Sequence, residues 1–107
     1  MRIRSKKQEK ITEELHRVYQ EIDTEREPIC TGCGRGDVPL SHSHLISRKK
    51  RPDLITEKRN IQFHCLSIGG REGCHDRWDR NDTTLLDWDE NMAYIKEVDT
   101  MCYELRS

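Results

Sequence analysis

The chain has little of what lets a domain stabilise itself by burial. Its 107 residues include one Phe, two Trp and three Tyr, and only 33% are apolar even with Tyr and Cys counted. Ordinary soluble domains reach ~45–50%. A body this short holds one domain, here spanning 1–107, and its core cannot be large. Long apolar runs are absent, which excludes a membrane span of about 18 or more residues. The first thirty residues carry acids and bases throughout and lack the apolar centre of a signal peptide. A cytoplasmic location is therefore the expectation.

A dominant charge sign is missing too, since 19 bases face 20 acids. The balance is local, however. Residues 1–27 are neutral, residues 28–75 carry +4 and residues 76–107 carry −5. A polyanion would find its footing in the middle.

Cysteine is what the chain does have, with five. In a reducing compartment these point to metal ligation before disulfides, and the odd count agrees. Cys30-Thr31-Gly32-Cys33 is a C-x2-C in a glycine-containing turn, and Cys65 and Cys74 follow as a second, wider pair. Together the four can form a closed tetrahedral zinc site of the structural kind. A redox dithiol or unrelated buried thiols would use the same residues. Zinc would also compensate for the small core, because such sites contribute on the order of 10 kcal/mol to folding. Cys102 reads as a small apolar core residue.

Ile11, Leu15, Val18 and Ile22 recur at helical spacing, predicting a helix over residues 5–26. Ser5 is placed to cap it and Pro28 to stop it. Leu85, Trp88, Met92, Ile95, Cys102 and Leu105 predict a second helix over 83–105, capped by Thr83 or Thr84. Between them lies a core of about 28–82 without long periodicity. Short strands are expected at Val38–Leu40, His44–Ile46 and Ile61–Phe63, and a short helix from His75 to about Arg80. Trp78 and Trp88 read as packing residues. Four of the five histidines fall in this middle region, and His16 reads as a surface residue of the first helix. His42 and His44 would share one strand face. His64 is open between zinc ligand, site residue and solvated strand position.

The order Cys30-x2-Cys33, Ser43-His44-Leu45-Ile46-Ser47-Arg48, Asn60-Ile61, Cys65 and Cys74-His75 resembles the HNH endonuclease family over residues 29–80. That resemblance implies an α+β fold, a zinc-braced ββα-metal (treble-clef-like) core with the two helices as flanking extensions. It implies divalent-metal-dependent hydrolysis of DNA, with Mg²⁺, Mn²⁺ or another divalent ion distinct from the zinc. His44 matches the general base, Asn60 the residue that braces the loop, and His75 a ligand of the catalytic ion. An imidazole with a pKa near ~6.5 suits proton removal from water. The resemblance also implies a phage or prophage origin, hence a host-cell cytoplasm. Two positions depart from the family pattern. Ser43 stands where a metal-binding Asp or His is common, so His42 becomes a substitute ligand, and Cys65 and Cys74 are more widely spaced than usual.

Arg48-Lys49-Lys50-Arg51 and Lys58-Arg59 supply cations beside the expected base, the arrangement needed to hold a phosphate backbone. Nothing resembles a base-reading helix. The expected partner is DNA, duplex or branched, and the terminal helices are suited to pairing two copies. The rival expectation is a zinc-stabilised nucleic-acid-binding or protein-interaction module that keeps the frame without cleaving.

Overall fold

A computed structural model describes the backbone of residues 6–107 and side chains from residue 9 onward. Helix α1 runs Lys6–Glu25, so Ser5 lies outside the described residues. Its predicted stripe is the buried one: Leu15, Val18 and Ile22 pack against Ile61 and Phe63, with Tyr19, Leu40 and Ile55 at the margin. The surface this narrow stripe requires is thus supplied by the same chain. His16 is exposed.

Ile61 and Phe63 belong to a two-stranded antiparallel sheet of β1 (Leu40–His44) and β2 (Ile61–Cys65). The register pairs Leu40 with Cys65, His42 with Phe63 and His44 with Ile61. One strand therefore replaces the two expected at 38–40 and 44–46. Pro39 has no N–H to extend the ladder, and beyond His44 the chain turns inward to bury Leu45 and Ile46. Two single 3-10 turns, Pro52–Leu54 and Lys58–Asn60, shape the connection back to β2.

Helix α2 (Cys74–Asp79) fits the short helix expected there. Residues of β2 alternate between the two sheet faces. Ile61 and Phe63 meet α1, whereas the His64 ring sits 6.1 Å from that of Trp78 on α2. The hairpin is thus sandwiched between α1 and α2. Trp78 is fully buried in the larger core cluster with Leu45, Ile46, Leu85, Met92 and Ile95, which bears out its packing role.

The helix expected over 83–105 is two helices, α3 (Trp88–Val98) and α4 (Thr100–Arg106). Asp99 between them is extended (φ −157°, ψ 92°), and its side chain accepts from the Cys102 N–H, starting α4 afresh. Arg51 fixes the break by donating to Val98 O and Asp99 Oδ2. Neither Thr83 nor Thr84 caps α3, which Asp87 precedes. The apolar spacing concealed the break because Val98 and Cys102 keep a four-residue step across it, and both pack on the main cluster. Met101 and Leu105 on α4 are left exposed. Among the described residues no helix is long and apolar enough to cross a membrane.

Candidate metal centre and histidine face

Cys30 and Cys33 sit on a tight turn closed by the Gly34 N–H donating to Cys30 O at 2.8 Å. Gly34 there has φ +79°, a conformation that glycine adopts without a steric cost. Cys65 ends β2 and Cys74 begins α2. All four sulfurs lie within 4.8 Å of one another, and Cys33 Sγ is 3.8 Å from Cys65 Sγ. A tetrahedron of Zn–S bonds of ~2.3 Å has edges of roughly 3.8 Å.

Donors already surround the sulfurs. The Cys65 N–H points at Cys30 Sγ and the Cys74 N–H at Cys65 Sγ, each at 3.3 Å. Arg71 and Arg77 guanidinium groups reach Cys65 Sγ at 3.7 Å and Cys74 Sγ at 3.6 Å. Burial pushes the Cys65 thiol up, but the Cys74 N–H and Arg71 outweigh it and bring the group down to about 6. Burial pushes Cys30 and Cys74 up, and for Cys74 the neighbouring sulfurs add to the rise. Four crowded sulfurs cannot all ionise without a cation among them. The donor set therefore fits a metal ion such as zinc. Cys102 is half-buried against the core, apart from this cluster.

His64 is neither solvated nor in the sulfur cluster. It is fully buried, with Nε2 2.8 Å from Asp87 Oδ2, and the Thr31 hydroxyl donates to the same oxygen at 2.6 Å. Burial acts to raise the Asp87 carboxyl, yet the His64 and Thr31 hydrogen bonds prevail and hold it below the usual range. The trio joins the cysteine turn, β2 and the start of α3. Sequence reading missed it because Asp87 looked like any acid near a helix N-terminus.

On the α1 face, His44 Nε2 lies 2.9 Å from Ile55 O. A carbonyl only accepts, so Nε2 carries the hydrogen and Nδ1 presents the lone pair. Burial lowers the His44 pKa below the ordinary imidazole value; the Ile55 bond opposes this, and Arg48 and His42 reinforce it. Asn60, fully buried, secures the same loop: its Oδ1 accepts from Ile46 N at 2.9 Å, and its Nδ2 donates to Ile46 O at 3.1 Å and Leu54 O at 3.2 Å.

His42 shares this face. Its Nε2 is 2.8 Å from Asp23 Oδ1, and its ring stacks on Tyr19 at 4.0 Å with an 11° interplanar angle. Ser43 is buried on the opposite face. His75 stands on α2, across the sheet, with Nδ1 3.7 Å from Asp76 Oδ1 and 3.8 Å from Asp79 Oδ2. Among the described residues, no compact group of ligand atoms unites His75 with His42 or His44. Alternation along β1 is the reason, since it directs positions 42 and 44 toward α1.

The basic residues divide. Arg51 pairs with Asp53 and Asp99, Lys58 with Glu21 and Glu25, and Arg59 with Glu97. Arg48, Lys49 and Lys50 are exposed and form no ion pair among the described residues. A cavity of about 580 Å³ opens elsewhere, between β2 and α3, lined by Arg26, Arg59, Gln62, Asn91 and Tyr94 among others; it does not include either histidine of the α1 face.

Comparison with protein-family models, curated proteins and solved structures finds no match.

Proposed function

We propose that the chain is an HNH-type endonuclease that hydrolyses nucleic-acid phosphodiester bonds, DNA being the expected substrate, with His44 as general base. One observation carries the reading: a half-buried imidazole whose Nε2–H is fixed on a backbone carbonyl, whose Nδ1 is left as the base, and whose pKa is lowered. Such a group is neutral near pH 7 and takes a proton from water directly. Asn60 acts at one remove, holding the 46–54 loop against which His44 is oriented. Arg48, Lys49 and Lys50 leave the same strand end and engage phosphates. Arg51, Lys58 and Arg59 contribute by shaping this segment through their acidic partners.

Zinc on Cys30, Cys33, Cys65 and Cys74 is structural in this reading, because four protein ligands close the site to substrate. His75, Asp76 and Asp79 offer a nitrogen and oxygen donor set for a divalent ion on the α2 side, across the sheet from His44. Exposed Met101 and Leu105 leave α4 as the apolar surface through which two copies would pair.

The separation of His75 from His44 favours one rival, a zinc-stabilised binding module that does not cleave. Plasmid incubated with the protein and Mg²⁺ or Mn²⁺ separates the two. Nicking that His44→Ala abolishes supports the nuclease; no cutting with any ion, or equal cutting by the variant, overturns it.

A further inference from the structure

Asp23, His42 and Tyr19 form an assembly that general-base catalysis by His44 does not use. His42 lies two residues from His44 on the same strand face, a separation of roughly 7 Å along the strand. Asp23 Oδ1 holds its Nε2 at 2.8 Å, Tyr19 covers one face of the ring, and Phe63 meets it at 5.5 Å between centroids. The imidazole is thus locked on three sides, with a quarter of the side chain still exposed. Asp23 is a carboxylate that only accepts, so Nε2 carries the hydrogen of this bond and Nδ1 is the ring nitrogen left free of it. Packing alone needs no carboxylate partner for a surface histidine.

We propose that His42 is the general acid of the same reaction, donating from Nδ1 to the departing sugar oxygen, with Asp23 and Tyr19 as its positioning residues. The step balances without any further reactant. A water oxygen forms the new bond to phosphorus as its proton passes to His44 Nδ1. The phosphorus–oxygen bond to the leaving sugar breaks, its electron pair stays on that oxygen, and the proton on His42 Nδ1 completes the alcohol. Two imidazoles two residues apart on one strand face are spaced to flank the entering and leaving oxygens of an in-line displacement, and Arg48 lies near enough to His44 to influence its charge. The inference rests on the nuclease reading and assigns α1 a direct part in it.

A leaving-group comparison tests it. His42→Gln, His42→Ala, Asp23→Asn and His44→Ala are assayed, after verification of fold and zinc content, on plasmid DNA and on bis(p-nitrophenyl) phosphate. Its p-nitrophenolate departs without a proton. The expected result is a loss of about 100-fold or more for both His42 variants on DNA, with near wild-type rates on the activated ester. Asp23→Asn should show a smaller loss of the same pattern, and His44→Ala should fail on both substrates. Equal losses on the two substrates for His42→Gln and His42→Ala overturn the acid role while leaving the nuclease reading intact. A wild-type protein that cleaves neither substrate overturns both.

Discussion

Every polar atom of the Asn60 side chain is used on the segment it closes, and none faces water. Asn60→Ala leaves the buried Ile46 N–H without its partner, so urea denaturation should register a loss of about 2–3 kcal/mol. Nicking should fall as well, because Leu54 O is released next to Ile55, the residue that orients His44. His44 itself supplies a pH signature. Burial favours its neutral form, so the folded-state pKa lies below the ordinary ~6.5 and the imidazole is already neutral at neutral pH. The acid limb of the cleavage rate should therefore fall below pH ~6.5, and a limb above that value would contradict the assignment. Stability follows the same sign. The contribution from neutral His44 is complete above the unfolded-state pKa and is lost as pH falls through the lower folded one.

Side chains at the ends of elements join them in addition to the apolar faces. Arg26 reaches from the end of α1 to Ile61 O at 2.6 Å and Lys58 O at 2.9 Å, and Lys58 returns to Glu21 and Glu25. Asp87 ties α3 to the cysteine turn and β2 through Thr31 and His64. Asp87→Ala leaves the buried His64 Nε2 without its partner and should cost about 2–3 kcal/mol by denaturant titration, more than an ordinary helix-end substitution. Gly73→Ala should be worse still. A Cβ there would stand 2.3 Å from the Cys65 carbonyl oxygen, so β2 and α2 could not meet as they do. The expected readout is loss of metal binding at the cysteines together with loss of soluble folded protein.

At the scale of the molecule, the described residues form two apolar clusters separated by a two-stranded sheet, with the sulfur cluster at one end of the hairpin. Neither cluster is large, so metal removal should unfold the chain cooperatively. Chelation strong enough to extract zinc is expected to abolish the helical circular dichroism signal, and unchanged spectra after verified extraction would refute a structural role. Binding to DNA, in the proposed reading, would draw on the three cations without an ion pair and not on all six. The slope of log K against log salt should therefore be about −2.7, from −0.9 per neutralised phosphate. Replacing Arg48, Lys49 and Lys50 by Ala should flatten it.

The cysteine spacing, the stripe of α1, the short helix after Cys74 and the packing of Trp78 were all legible in the chain, because each depends on residue type at a fixed local interval. The break at Asp99, the burial of His64 and the neutralisation of Lys58 and Arg59 were not, since each depends on a partner 23 to 48 residues away in sequence. The sequence by itself determined which groups are able to grip a cation or move a proton. Only the tertiary structure decided their company. It set His42 and His44 together against α1 and His75 across the sheet, because strand alternation assigns a side chain to a face and the packing of helices decides what that face meets.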